Sequence, residues 1–395
     1  MSESLVLKFD PNTIEHLGVS LYSKLPSVLS ELISNSWDAD ATKVDIDFVE
    51  NGESKEIIYE DDGDGMTYDE LNNKYLVIGR NRRISTNKQH SANGRPVIGK
   101  KGLGKLSVFG VCDEIEVISV KDGLKNHFKM NLQEIKESKE HSYNPVMLSL
   151  NEKTASSSGT EIRLKKIRRK SGFNLDEIAL SLSKKFIIFS EMKTQVKKNG
   201  DNDTQIEITN ELKYESLNPE FKWEFPSEVF DTTYPHWNGV KGSVVTLKTP
   251  VKDTEMRGIY LTSRGKIVNV ASFYGARDND QFHGYATGYL EVDFIDDFKD
   301  DVISTDRHSL NWEHEETRAL QSYLQKIVKK IGSEWKVKRG SEKRKKVEIS
   351  HDLGIEEWQS ALPTYERELS ERIINPILQN SNIDVVESAN IIGNV

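Results

Sequence analysis

Apolar positions between 25 and 38 recur at helical spacing. Leu25, Val28, Leu29, Leu32 and Ile33 share one face of a helix, and Glu31, Asn35 and Asp38, spaced i, i+4 and i+7, form a narrow polar stripe beside them. Such a helix buries its apolar side and turns the carboxylates and amide toward something polar; taken alone, solvent would serve. The period then changes to two. Val44, Ile46 and Phe48 alternate with Asp45 and Asp47, Asn51-Gly52 supplies a turn, and Ile57-Ile58-Tyr59 returns, which predicts a hairpin with one buried face.

Both periods vanish over 66 to 98, a polar stretch rich in Asn and Arg. A long irregular segment inside a compact domain is usually functional, and a lid is expected here. Strands are predicted at "DEIEVISV", "HFKMNL" and "GTEIRLKKI". From about 175 a helix, "NLDEIALSLSKKFIIF", opens a second region with strands at "TQIEIT", "GSVVTLKT", "RGIYLTSRGKIVNVA" and "GYLEVDFID". Beyond Trp312 the pattern turns helical, through "HEETRALQSYLQKIVKKIGSEW" and "ERELSERIINPILQ", and no internal repeat is visible. The expected division is 1–170, 171–311 and 312–395, in an α+β chain.

Length and composition narrow the setting. A chain of 395 residues suits two or three domains, each with its own core. The single cysteine, Cys112, leaves no internal disulfide, and nothing resembles a zinc cluster, which fits a reducing cytoplasm. The first residues, "MSESLVLKFDPNTIEHLG", lack a basic segment followed by an apolar one, and no apolar run is long enough for a bilayer, so a soluble protein without a membrane partner is expected. A net charge of -9 argues against coating nucleic acid over the whole surface. Two basic runs remain, "RLKKIRRK" at 163–170 and "KVKRGSEKRKK" at 336–346.

Two glycine-containing stretches bear on what the polar stripe faces. In "EDDGDGM", Asp61, Gly63, Gly65 and Met66 follow a strand directly, placing a carboxylate at a tight turn beside bare backbone. In "GKKGLGKLS", Gly99, Lys101, Gly102, Leu103, Gly104 and Lys105 run into an apolar segment. Glycines there let backbone N–H groups approach phosphate oxygens without a Cβ in the way. Each stretch alone is also what an ordinary turn looks like.

Their order is more specific than any one of them. Glu31-x-x-x-Asn35-x-x-Asp38-Ala39, then Asp61-x-Gly63-x-Gly65, then Gly99-x-x-Gly102-x-Gly104, then Gly159-Thr160 at the start of a strand resemble the four motifs of the GHKL ATPases, the family of gyrase B, the ninety-kilodalton heat-shock chaperones, histidine kinases and MutL. "ELISNS" is close to the chaperone version of the first motif and "DADAT" to the MutL version. The likeness covers about 10–167 well. It extends more loosely to about 310, where the region resembles the transducer domain of the chaperone, MutL, gyrase and MORC branches. It implies a Bergerat-type α/β sandwich nucleotide domain and an S5-like transducer domain; past about 312 no resemblance is found, and the helical C-terminal region is expected from the pattern alone.

The resemblance also implies roles. ATP and Mg²⁺ are the expected cofactors. Glu31 would serve as general base or orient the attacking water, and Asn35 would ligate the ion together with phosphate oxygens, since Mg²⁺ takes few protein ligands. Asp61 would accept from the adenine amino group, supported by the Thr160 hydroxyl, and Asp38 would line the pocket. Of the basic residues Arg80, Arg82, Arg83, Lys88, Arg95, Lys100 and Lys101 in the lid region, many would be solvated; Lys101, with Lys105 beside the glycines, is the better phosphate candidate. Arg307, in "DDVISTDRHSLNW", resembles the transducer cation that reaches the γ-phosphate; Arg264 and Lys266 in "TSRGK" are alternatives, and a surface pair of Arg307 with Asp306 or Glu313 is equally open.

Glu31 stands where histidine kinases carry asparagine, and only about 30 residues precede it, so hydrolysis is expected and autophosphorylation is not. Transducer-bearing members act as ATP-gated homodimers, which implies a clamp of that kind here. Its object is open among DNA, a protein client in a chaperone-like role, and a partner effector controlled by nucleotide sensing, in a setting such as antiviral defence.

Overall fold

Proline at the start and the burial of one apolar face carry helix α1, Leu25–Asp38, whose five apolar residues at helical spacing are all buried. The structure, a computed structural model, describes residues 24–78, 89–100, 102, 104–138, 143–227, 231–276, 280–351, 353–380 and 383–394. Lys101 and Leu103, and with them Arg80, Arg82, Arg83 and Lys88, lie outside the described residues. The fold is mixed α+β. The chain divides into two compact units, one of residues 1–216 with 263–267 and 305–308, the other of 217–262, 268–304 and 309–395.

The first unit holds an eight-stranded sheet. Strands β1 (Lys43–Asn51) and β2 (Ser54–Asp61) form the expected hairpin, in register from Val44 opposite Asp61 to Asn51 opposite Ser54. Next in the chain come β3 (Cys112–Lys121), β4 (Leu124–Asn131), a short helix α2 (Leu132–Glu137), β5 (Val146–Lys153), β6 (Gly159–Ile167), helix α3 (Leu175–Ser183), β7 (Lys193–Lys198) and β8 (Asp201–Ile208). The spatial order is β5-β4-β3-β6-β2-β1-β7-β8. The pairs are antiparallel except β1 with β7. One core joins α1 to the sheet and to α3, through Leu29, Ile33, Ile46, Phe48, Ile178 and Leu182.

Two expectations change here. A division at 170 places residues 175–208 in the second region, yet β7 pairs along β1 and the compact first unit runs to Ser216. The apolar run "FIIF" also does not continue the helix: α3 ends at Ser183, and Phe186 bridges to Lys266 while the Ile187 amide donates to the Gly265 carbonyl. A buried extended segment and a buried helix share the same apolar content, so length alone did not separate them.

The second sheet has strands β9 (Pro219–Phe225), β10 (Lys241–Leu247), β11 (Gly258–Ser263), β12 (Lys266–Ser272) and β13 (Ala286–Glu291), in the order β12-β11-β13-β10-β9, and all of it but Ser263, Lys266 and Ile267 belongs to the second unit. Helix α4, Glu315–His351, lays Leu320, Leu324, Ile327, Val328, Ile331 and Trp335 against that sheet's core. Its far end packs with α5 (Ile355–Ala361), α6 (Thr364–Gln379) and α7 (Val385–Gly393) through Val347, Ile374, Leu378 and Ile392. The C-terminal helices therefore belong to the unit that begins at 217.

Candidate nucleotide site

The polar stripe of α1 faces a built site. Glu31 is partly exposed, and its carboxylate accepts from the Lys266 ammonium at 2.8 Å. Lys266, 3% exposed, also donates to the Ser34 hydroxyl at 3.0 Å and the Ser30 carbonyl at 3.4 Å, with the Phe186 ring 5.5 Å away. Lys266 enters through the turn 263–267, which belongs to the first unit. Burial pulls its pKa down, and the nearby Glu31 carboxylate opposes that shift. One turn further along α1, Asn35 is exposed, and its side chain makes no hydrogen bond to a described residue.

At the C-terminal end of β2, Asp61 is braced from several sides. Its Oδ2 accepts from the Ser36 hydroxyl at 2.7 Å and its Oδ1 from the Gly63 amide at 3.0 Å, and the Thr160 backbone adds a further bond. Ser36 also meets the buried Tyr59 hydroxyl at 2.7 Å. Burial raises the Asp61 carboxyl to about 6 despite these donors. Ser36 was not expected from the sequence. Its signal is a small hydroxyl on the buried face of α1, one residue after Asn35. The Thr160 hydroxyl lies 3.5 Å from that of Ser119, which accepts the Met66 amide at 2.8 Å. Gly65 has φ +63°, and a Cβ there would strike the Val120 carbonyl, so the turn after Asp61 demands glycine.

The third glycine stretch is gripped at its entry. Asp38, 5% exposed, accepts the Ile98 amide at 2.7 Å and the Gly99 amide at 2.9 Å. Arg307 donates to the Ile98 carbonyl at 2.7 Å, and Arg264 to the Gln89 and Val97 carbonyls, each at 3.2 Å. Gly104 opens a 3₁₀ segment to Gly110, and a Cβ on it would run into the Glu31 carboxylate. Gly102 has φ +65°. Lys105 donates to the carbonyls of Tyr75 and Val77, and Arg95 lies 4.5 Å from the Trp37 ring while donating to the Ala41 carbonyl. Both cations thus contact protein groups in this conformation.

A nucleotide and its ion fit these residues. The cradle at Gly104 leaves no room for a side chain beside Glu31, the exposed Asn35 amide offers one oxygen ligand, and Asp61 offers an acceptor at the other end of α1. Among the described residues no group of three or more His, Cys, Asp and Glu could hold a metal, so a divalent ion would depend on Asn35 and on phosphate oxygens. No helix among the described residues is long and apolar enough to cross a membrane.

The chain is similar to known proteins over the stretch that holds most of these residues. Residues 22–161 match the family model described as histidine kinase-, DNA gyrase B-, and HSP90-like ATPase. Over 350 residues, 83% of this chain and 56% of the relative, it is 28% identical to a Herpetosiphon aurantiacus protein named "Putative type II restriction enzyme HgiDII". It is 33% identical over 129 residues to the chaperone protein HtpG of Clostridium botulinum (strain Langeland), covering 28% of this chain and 21% of HtpG. The HtpG of Rhizobium etli is 32% identical over 152 residues, 32% of this chain and 24% of its own length. The chain thus spans about half the length of the first relative and about a fifth to a quarter of the chaperones.

Proposed function

We propose, from the premise that residues 22–161 are a domain of the histidine kinase-, DNA gyrase B-, and HSP90-like ATPase family, that this chain hydrolyses the ATP such a domain binds. The observation that carries the reading is the contact of Glu31 with Lys266: a carboxylate on the open stripe of α1, held by a buried ammonium from far along the chain. Glu31 is the general base or the group that orients water, and Asn35 ligates Mg²⁺, which would neutralise phosphate charge when bound. Asp61 selects adenine by accepting its amino hydrogen, with Ser36 and Thr160 holding the carboxylate. The amides of Gly102 and Gly104 and the Lys105 ammonium are the groups assigned to the phosphates, the Gly99 amide being held by Asp38, and Lys101 joins them only on its place in the sequence.

Between the two cations expected at the γ-phosphate, the geometry favours Lys266, which touches Glu31, over Arg307, whose fork is on the Ile98 carbonyl. Phosphate release at saturating ATP from Lys266→Ala and Arg307→Ala, measured together, tests the choice. A loss of tenfold or more in the first alone supports it. Wild-type turnover in Lys266→Ala overturns it.

At the larger scale the reading is an ATP-gated homodimeric clamp, with DNA as its object on the strength of the restriction-enzyme relative. The basic runs add little to that. Lys165, Lys166 and Arg168 pair with Glu116, Glu114 and Asp113, and Lys336 and Arg339 with Asp280 and Glu220. A partner protein is the second reading, favoured by this internal pairing of charge.

A further inference from the structure

Arg264 and Arg307 lie far apart in sequence and close together in purpose. Both have left-handed backbones, φ +52° and φ +57°, a conformation that side chains other than glycine seldom adopt and that persists only where surroundings hold it. Both send their forks to the same short segment. Arg264 takes the Val97 carbonyl and reaches Gln89 twice, through its carbonyl and, at 2.8 Å, through its side-chain oxygen. Arg307 takes the Ile98 carbonyl, while Asp38 holds the next two amides from the other side.

Two consecutive carbonyls and two consecutive amides at 97–99 are therefore fixed immediately before the 99–104 loop. Charge-assisted bonds of this kind are short and directional, and an arginine fork can meet two acceptors at once where an ammonium cannot hold the same plane. Gly102 and Gly104 follow in the sequence, and a glycine imposes little of its own on the backbone direction. The amides of Gly102 and Gly104 can face a phosphate reproducibly only if the chain leading to them is held.

We propose that Arg264 and Arg307 are positioning residues for phosphate recognition: they fix the backbone at 97–99 so that the amides of Gly102 and Gly104, which follow it, are already aimed when ATP arrives. The inference rests on the ATP-site reading above. It concerns the triphosphate end of the site and leaves the adenine end, at Asp61, untouched. The turn 263–267 then serves both halves of the chemistry, Arg264 gripping the loop entry while Lys266 grips Glu31.

The test uses the full chain and its Arg264→Ala, Arg307→Ala and Arg264→Lys variants. Calorimetry gives affinities for a non-hydrolysable ATP analogue and for adenosine, and hydrogen exchange of the nucleotide-free proteins follows the Ile98 and Gly99 amides. Expected in both alanine variants are analogue affinity at least tenfold weaker, adenosine affinity within twofold of wild type, and exchange at least tenfold faster; lysine at 264 recovers only part of each. Analogue affinity unchanged in the alanine variants overturns the proposal, whatever the exchange. So does an equal fall for analogue and adenosine, which marks a structural staple. If the wild type binds neither ligand, the ATP-site reading falls and this inference with it. If the wild type binds the analogue and the variants bind it as well, the arginine inference falls alone.

Discussion

The ammonium of Lys266 is buried beside a carboxylate that is itself partly open, and such a pair is asymmetric in what its loss does. Removing Glu31 leaves a buried cation without its counter-charge, whereas removing both groups leaves an apolar contact. Glu31→Ala is expected to lose about 3 kcal/mol in urea denaturation, and the double variant with Lys266→Met to recover most of it. A single variant as stable as wild type would show that the pair is solvated in solution. Asp61 carries a different signature. With its carboxyl raised to about 6, it is ionised at neutral pH and takes up a proton as the pH falls through that value. The protonated form is a poor acceptor for the adenine amino group. Adenosine, which has no phosphate to titrate, should therefore lose about tenfold in affinity between pH 7 and pH 5. Calorimetry at several pH values checks this; a flat profile from 7 to 5 contradicts the role given to Asp61.

Helix α1 and the hairpin after it were legible because each obeys one period. Leu25, Val28, Leu29, Leu32 and Ile33 all sit in the core, and the β1–β2 register follows the Val44, Ile46, Phe48 alternation. Where the pattern is mixed, the local signal fails. Strand β5 has no period of two to mark it, because Val146, Met147, Leu148 and Leu150 do not alternate, and all four are exposed at the sheet's edge. The boundary at 170 missed β7 and β8 because parallel pairing of β7 with β1 is a long-range fact with no local mark. The site motifs were readable in order, but the links between them were not: nothing in the local pattern ties Arg264 to Val97 or Lys266 to Ser34. The junction of α1 with the 3₁₀ segment from Gly104 gives an element-scale prediction. Alanine at 104 pushes the Glu31 carboxylate aside, and displacements of this size near a reacting group cost up to about a hundredfold in rate. Gly104→Ala should hydrolyse ATP at least tenfold more slowly with a melting temperature within about 3 °C of wild type, as phosphate release and thermal scans would report. Full turnover would mean that Glu31 has room to spare.

At the scale of the molecule, two compact units divide the chain at Ser216, and the first takes the turns 263–267 and 305–308 from the remote sequence. Those turns carry Lys266, Arg264 and Arg307, so groups around the candidate phosphate site come from distant stretches of the sequence. A clamp driven by ATP needs contacts that differ between its states, since a ligand shifts a conformational equilibrium only through them. The expected consequence is a dimer in the presence of a non-hydrolysable analogue and a monomer with ADP, followed by light scattering. Equal masses in both states would remove the clamp. DNA as the object predicts turnover stimulated by duplex DNA at moderate salt; no stimulation would leave a partner protein as the object.

The most direct measurement compares Glu31→Gln with wild type for ATP affinity and for phosphate release in the same preparation. Glutamine keeps an oxygen for the Lys266 ammonium but cannot serve as a base at neutral pH. Affinity within about threefold of wild type with turnover reduced at least a hundredfold is the predicted result. A Glu31→Gln protein that hydrolyses ATP at the wild-type rate would contradict the account at its centre.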